Sequence, residues 1–279
     1  MKALLGACVA VTALLLAPPT ASARDYGPDL GAFYRTCTPG QACQRLDTAG
    51  FEDYARQIGS ALAPAIGPIH SLGGHGFDVS LTTGLSTVHR DRDYWTPDGA
   101  GRPGVASGPG DLFVTSQIGV RKGLPYGLRL GGTVTHLYDS NLWGIGLELG
   151  WAFVDGYKWA PDIGIVASVG TLLGSDDFLM IQVSPALVLS KRFAVAGLFH
   201  LAPYLAYNVL YVNASTHLTA TSRGGTDPVL FAFEPRHVVR HRGVLGLEML
   251  ASWVVVGAEM TVDFDDARRT YAIKVGAQF

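Results

Sequence analysis

The feature that most constrains this chain is a two-residue alternation of apolar with small or polar side chains, repeated along most of its length. Between Trp143 and Phe153 every odd position is Trp, Ile, Leu or Phe, and every even position is Gly, Glu or Ala. The same alternation runs from Val254 to Phe264 and begins at Phe77. Successive side chains of a β-strand point to opposite faces, so each segment predicts a strand with one apolar face.

The last strand carries the most specific motif. Its apolar positions are Tyr271, Ile273, Val275, Ala277 and the terminal Phe279. A final strand that ends on an aromatic residue resembles the closing strand of bacterial outer-membrane β-barrels. The resemblance covers residues 75-279 and identifies a class, not an individual family. It implies location in the cell outer membrane and that the barrel assembly machinery reads Tyr271 and Phe279 as an assembly signal.

The alternating segments predict ten strands. They span residues 76-89, 111-122, 126-138, 142-154, 161-173, 178-190, 193-212, 239-251, 253-264 and 270-279. Eight or twelve strands are the alternatives, because 193-212 is long and 213-238 has room for a hairpin. Lipid offers no hydrogen-bond partners to an open sheet edge. We therefore expect an all-β fold, a closed antiparallel transmembrane barrel whose two long connections face outside.

The amino terminus predicts export and divides the chain into three parts. Met1 and Lys2 precede an apolar run, and Ala21-Ser22-Ala23 is a small-residue cleavage site, so residues 1-23 read as a signal peptide. Cys8 lies inside the apolar run, and no lipid anchor is implied. No later run is long and apolar enough for a spanning helix. Residues 24-72 form a periplasmic or lumen-plugging segment, and residues 73-279 form the barrel.

Polar and charged side chains fall on the predicted inward face, among many glycines. The predicted lumen-lining residues are Asp78, Gln117, Arg121, Arg129, Glu148, Glu248, Glu259, Asp263 and Lys274. The interior of a ten-strand barrel is narrow, but small inward residues leave room for water, a ligand or a plug. Two interpretations stay open: a polar lumen that passes or binds a small solute, or a network of ion pairs that braces and seals the wall.

Residues 24-72 do not follow the strand pattern. Cys37 and Cys43 flank a Pro-Gly turn, and we expect them to form a disulfide in an oxidising compartment. Two sulfurs with no nearby His do not predict a metal site.

A helix follows, capped by Asp47 or Thr48 and ended or kinked at Ala63-Pro64. Its apolar stripe consists of Phe51, Tyr54, Ile58 and Leu62. This stripe needs a partner, which is the barrel lumen, the periplasmic mouth or another protein. The first two arrangements resemble the amino-terminal hatch of larger outer-membrane transporters.

The outer connections carry the remaining charged motifs. Arg236, Arg240 and Arg242, with His237 and His241 between them, predict a contact with lipopolysaccharide phosphates or another surface polyanion. The alternative is a solvated loop neck.

Catalytic motifs are missing from the sequence. Asp91, Asp93 and His237 only faintly resemble the arrangement of omptin-type proteases, and no Gly-x-Ser-x-Gly, His-Glu-x-x-His or phosphate-loop motif occurs. We therefore predict no enzyme activity, no catalytic residues and no cofactor.

The function suggested first is a narrow channel or transporter for a small solute, gated by the amino-terminal segment. The alternative is a non-conducting structural or docking barrel that anchors an envelope or surface assembly. Expected partners are outer-membrane lipid and lipopolysaccharide, the barrel assembly machinery and a periplasmic or surface protein. No nucleic-acid partner is expected.

Overall fold

A computed structural model describes residues 33-36, 44-89, 92, 94-95, 111-175, 177-217, 219-221 and 229-279. The predicted signal peptide, the expected Cys37–Cys43 disulfide and the residues Asp91 and Asp93 lie outside the described residues.

The described residues form a closed antiparallel barrel of ten strands, which confirms the predicted fold class. The barrel strands are β3 Phe77–Thr87, β4 Leu112–Gly123, β5 Leu128–Leu137, β6 Trp143–Val154, β7 Asp162–Leu173, β8 Phe178–Ser190, β10 Phe199–Thr216, β13 Arg236–Ala251, β14 Val254–Asp263 and β15 Arg269–Gln278. Each pairs with its neighbours in this order, and β15 pairs with β3, so that the sheet has no open edge.

Side chains alternate across the wall as the sequence pattern requires. On β6, Leu147 is 62% exposed on the outer surface, whereas its neighbour Glu148 is 2% exposed inside. The same division holds around the barrel, where the exposed positions of the strands are mostly Leu, Ile, Val, Trp and Tyr. An apolar outer surface over enclosed polar groups is the arrangement that a bilayer favours.

One predicted strand is divided in the structure. Residues 193-212 do not form a single strand, because Ala196 and Gly197 adopt positive φ angles of 50° and 70° and turn the chain. Short strand β9, Phe193–Val195, therefore pairs back on the start of β10. The barrel strand itself begins at Phe199 and continues to Thr216.

The two ends of the barrel differ. The end that we name the loop mouth carries connections 88-111, 138-142, 174-177, 217-235 and 264-268. The opposite end, the turn mouth, carries 124-127, 155-161, 191-198 and 252-253. Connection 217-235 contains a small hairpin, β11 Thr219–Thr221 with β12 Val229–Phe231. Outer-membrane barrels have short periplasmic turns and longer outer loops, so the loop mouth faces outside.

The amino-terminal part adds a two-stranded hairpin and one helix. Strand β1, Tyr34–Thr36, pairs with β2, Gln44–Leu46. Helix α1 spans Thr48–Leu62, and the Asp47 carboxylate accepts the Gly50 N–H at 2.9 Å as its N-cap. Ala63 is extended because it precedes Pro64, which ends the helix. No helix among the described residues is long and apolar enough to cross a membrane.

Candidate functional site: the occupied lumen

Helix α1 lies inside the barrel, in the half next to the loop mouth. The predicted stripe residues Phe51, Tyr54, Ile58 and Leu62 are all fully buried. The wall around them is apolar on its inner side and contributes Phe113, Leu137, Leu172, Phe178, Met180, Leu210, Val212 and Val238 to one continuous core. Gly59 allows a close approach of the helix to the wall, since a Cβ there would lie 2.7 Å from the Val212 side chain.

An aromatic cluster closes this core at the loop mouth. Phe51 stacks on Phe233 with ring centroids 4.3 Å apart, and Phe33 contacts both rings edge-on. Tyr54 packs against Trp95, at 5.3 Å. Phe33, ahead of the helix, thus lies at the loop mouth, and the chain runs from there towards the turn mouth.

Beyond the helix, residues 63-72 pass through the half of the lumen next to the turn mouth in an extended form. The side chains of Ile66 and Ile69 pack into a second apolar cluster of the inner wall, and polar side chains of the wall bind the backbone. The Glu259 carboxylate accepts the N–H groups of Ile66 and Gly67, at 3.1 and 3.0 Å. Gly67 has a positive φ of 69°, which favours glycine.

The backbone carbonyl groups of the same segment are bound by side chains of opposite polarity. Arg121 donates to Ala65 O at 3.1 Å, and Arg129 donates to Pro68 O at 2.8 Å. Further amide contacts come from Gln182 to Leu62 O and from Ala65 N to Gln117, and Ser190 donates to Ile69 O. Hydrogen bonds to charged groups are the stronger kind, so this extended strand is fixed without a β-partner.

Six of the predicted lumen charges form two linked groups in the half of the lumen next to the turn mouth. Glu148 pairs with both Arg121 and Arg129, each at 3.0 Å. Lys274 joins Glu248 at 2.7 Å and Asp78 at 3.6 Å. Each of these charges has an oppositely charged neighbour, as buried charges require.

A third charged group, at the loop mouth, ties the helix to the wall. Asp53 of α1 accepts a hydrogen bond from Arg268 at 2.9 Å and another from the Tyr94 hydroxyl at 2.7 Å. Arg268 also pairs with Asp266, which in turn binds Arg240. Burial would raise the pKa of Asp53, but the Tyr94 hydrogen bond and the nearby arginines outweigh it and hold that pKa below its usual value.

Two arginines predicted to contact a surface polyanion point inward instead. Arg240 and Arg242 are 3% and 5% exposed. Arg240 pairs with Asp263 at 2.9 Å, and Arg242 donates to Asn208 at 2.7 Å. The alternation of β13 places even-numbered residues inside, a parity that the cluster of like charges obscured. Arg236 is partly exposed and pairs with Glu52 of the helix at 3.8 Å.

His70 lies near the turn mouth with its ring buried. The Gln278 amide lies 3.4 Å from its Nε2 atom. Burial lowers the pKa of His70 well below 6.5, and the positive charges of Arg192, Arg129 and Lys274 lower it further, against a smaller opposing effect of Asp78. His70 is therefore neutral at neutral pH.

Two small cavities lie beside the extended segment. They measure about 20 and 30 Å³ and share Gln117 and Glu259 in their linings. Each volume suits a water molecule or two. Neither could hold a solute of metabolite size.

The predicted assembly-signal residues lie on the closing strand. Phe279 exchanges backbone hydrogen bonds with Phe77 at 2.6 and 2.9 Å, which joins the last residue to the first barrel strand. Tyr271 faces outward. Among the described residues, no group of three or more His, Cys, Asp or Glu side chains is placed to hold a metal ion.

The closed barrel, with its apolar outer surface and enclosed charges, defines the class of the chain: it is a bacterial outer-membrane β-barrel protein. No known protein family and no curated protein matches the sequence.

Several solved structures resemble the chain in fold at low sequence identity. The amino-terminal β-barrel domain of Pseudomonas aeruginosa OprF is 9% identical, with 74% of this chain and 98% of that chain covered and a TM-score of 0.32. Ail, the attachment invasion locus protein of Yersinia pestis, is 14% identical over 74% and 99% of the two chains, with a TM-score of 0.29. The translocator domain of the autotransporter NalP from Neisseria meningitidis is 11% identical over 83% and 96%, with a TM-score of 0.36.

Sequence reasoning missed the role of residues 63-72. The segment contains Pro64, Gly67 and Pro68, which exclude helix and regular strand, but no periodicity marks a chain held by its backbone. The paired wall charges were the available signal, because the arginines and the glutamate that bind this segment were all assigned to the lumen.

Proposed function

We propose that the protein is a sealed, non-conducting outer-membrane barrel whose loop mouth, together with the amino-terminal segment, is a docking surface outside the cell. The observation that carries this proposal is the single hydrophobic core shared by α1 and the inner wall. A lumen built to conduct would present polar groups along its whole length, whereas this wall is apolar where it contacts the stripe of α1.

The free energy needed to remove α1 from the lumen supports a permanent rather than a removable plug. Burying a large apolar side chain contributes about 1.5–3 kcal/mol. The four stripe residues of α1 alone therefore represent roughly 6–12 kcal/mol. Removing the helix together with residues 63-72 would also expose the apolar wall to water, separate Asp53 from Arg268 and take the Ile66 and Gly67 N–H donors away from Glu259. Opening on this scale is too costly for a thermally gated channel.

Chain direction supports docking at the outer face. The chain enters the lumen at the loop mouth, beside Phe33, and reaches the turn mouth only at Leu72. Phe33 therefore lies at the outer face, in contact with Phe233 of connection 217-235. These elements together supply a composite surface for another macromolecule.

The alternative, a narrow channel gated by the amino-terminal segment, has one observation in its favour. The half of the lumen near the turn mouth contains paired charges and one of the two water-sized cavities. If the helix moved, this half would present the charges of Arg121, Glu148 and Glu259 to a passing solute.

A reversible lock distinguishes the two functions. A Cβ placed on Gly144 lies 3.6 Å from the Cβ of Leu62, a spacing that suits a disulfide. Gly144→Cys with Leu62→Cys, in a background with Cys37→Ser and Cys43→Ser, would fix the helix to β6 under oxidising conditions. The measurement is conductance of the refolded protein in planar bilayers, before and after reduction.

We expect no conductance in either the oxidised or the reduced state, as for the parent protein without the new cysteines. Steady conductance of the parent that disappears in the oxidised variant and returns on reduction would overturn the sealed barrel and establish a gated channel. The background without either new cysteine controls for the loss of the two native cysteines.

A further inference from the structure

Two neighbouring connections at the turn mouth expose large apolar side chains. Trp159 is 90% exposed and Leu198 is 75% exposed, and Tyr157 and Phe193 are exposed beside them in chain order. These residues come from connection 155-161 and from the β9–β10 hairpin, residues 191-199, which together we name the foot. The tip of a hairpin in water is normally polar, so the apolar composition of this one requires an explanation.

Hydrogen bonds fix the two connections of the foot to each other and to the barrel. The Lys191 ammonium donates to the carbonyl groups of Tyr157 and Ala160, the latter at 2.5 Å. The Lys191 backbone N–H binds Pro203 O at 3.1 Å, and β9 pairs with β10. Lys191 therefore fixes the two connections to each other, and the hairpin is continuous with the barrel wall.

The foot continues the lipid-facing band of the barrel. Directly beyond it on β7 and β8, Ile163 pairs with Leu189 and Ile165 pairs with Leu187, and Ile165, Leu187 and Leu189 are exposed on the outer surface. The apolar surface thus extends from the strands into the foot. A position at the membrane–water boundary of the periplasmic side follows, where Trp and Tyr are enriched.

The foot also carries positive charge. Lys158 and Arg192 are exposed, and each is one residue away from the contact between Lys191 and Tyr157. The Lys158 ammonium lies 5.3 Å from the Trp159 ring centroid. The nearby carboxylates are occupied, because Asp155 accepts the Ser71 N–H and Asp162 accepts the Gly156 N–H.

We infer that the foot is a binding site for an anionic phospholipid of the periplasmic leaflet. Lys158 and Arg192 pair with the headgroup phosphate, while Trp159, Leu198 and Phe193 lie among the acyl chains. Basic side chains beside an apolar membrane surface are the chemistry that recognises such lipids. The inference does not depend on whether the lumen conducts.

The first test measures lipid enrichment. The purified protein in mixed micelles of phosphatidylethanolamine and phosphatidylglycerol is analysed by native mass spectrometry for retained lipid. Lys158→Gln with Arg192→Gln should lower retention of phosphatidylglycerol by about fivefold for each charge removed, with no change for phosphatidylethanolamine. Lys122→Gln is the matched control, because Lys122 stands over the Phe77 ring at the same mouth but outside the foot.

The second test locates the foot. Trp159 emission, obtained as the difference between the parent and Trp159→Phe, is measured in bilayers whose acyl chains carry bromine. Quenching of that emission is the expected result. An unquenched Trp159, or phosphatidylglycerol retention that falls equally in the Lys122 control, would overturn the lipid site, and an unquenched Trp159 would point to water or a periplasmic protein beside the foot.

Discussion

Substituting Gly59 by alanine tests directly whether α1 is packed into the wall. In a free helix the change is favourable by about 1 kcal/mol, because alanine has the higher helix propensity. In this barrel the new Cβ would lie 2.7 Å and 3.3 Å from the two γ carbons of Val212. Contacts this close force a shift, and overpacking of a core costs about 1–3 kcal/mol. The wall contact should therefore outweigh the propensity, so that Gly59→Ala destabilises the protein.

Gly59→Ala should stabilise the protein instead when the Val212 side chain is shortened. Val212→Ala deletes the γ carbons, so Gly59→Ala in that background should recover its favourable propensity. The difference between the two backgrounds is a coupling energy, expected at about 1–3 kcal/mol. Urea unfolding in liposomes, followed by the emission of Trp95 near Tyr54, reports the transition. A Gly59→Ala variant stabilised by the same amount in both backgrounds would refute the placement of the helix in the lumen.

Three further outcomes are expected. An epitope inserted after Ala23 should bind antibody on intact cells, whereas one at Gly197 should need permeabilisation; the reverse pattern would refute the chain direction argued above. Glu259→Gln should destabilise the docked segment by about 1.5–3 kcal/mol, seen as faster proteolysis after Ile66, with Glu52→Gln as a control at the helix surface. Since the pKa of His70 is lower when docked than its ordinary 6.5, the undocked state binds the extra proton. Stability should then be full above pH 6.5 and fall below it, and His70→Gln should flatten this dependence in urea titrations.

The barrel strands could be predicted because their pattern depends only on residues that are adjacent in sequence. In a two-residue alternation each residue reports its own face, and the requirement for closure in lipid fixes the rest. Where one residue departs from the regular pattern, the sequence is less informative. The turn at Ala196 and Gly197 lies within an apolar run, and nothing in that run marks a change of direction except the glycine itself.

The content of the lumen was less predictable, because it depends on contacts between segments far apart in sequence. The stripe on α1 indicated a helix in need of a partner, and the inward charges indicated a need for pairing. Neither pattern specifies which part of the inner wall is apolar and contacts the stripe of α1, and which part is polar and binds the backbone of residues 63-72. The apolar part of the wall is formed by side chains from several strands that surround α1. The burial of Val212 and Met180 shows this arrangement, whereas the alternation within each strand does not.

The placement of Arg240 and Arg242 depends both on the alternation of one strand and on contacts with distant segments. Read as a cluster of like charges, the basic run suggests a surface that attracts anions; read by parity along β13, it alternates between an inward arginine and an outward histidine. Inside the barrel, Arg240 pairs with Asp263 and Asp266. Asp266 also pairs with Arg268, which in turn binds Asp53 on the helix. The charges at the loop mouth thus hold the amino-terminal segment in place.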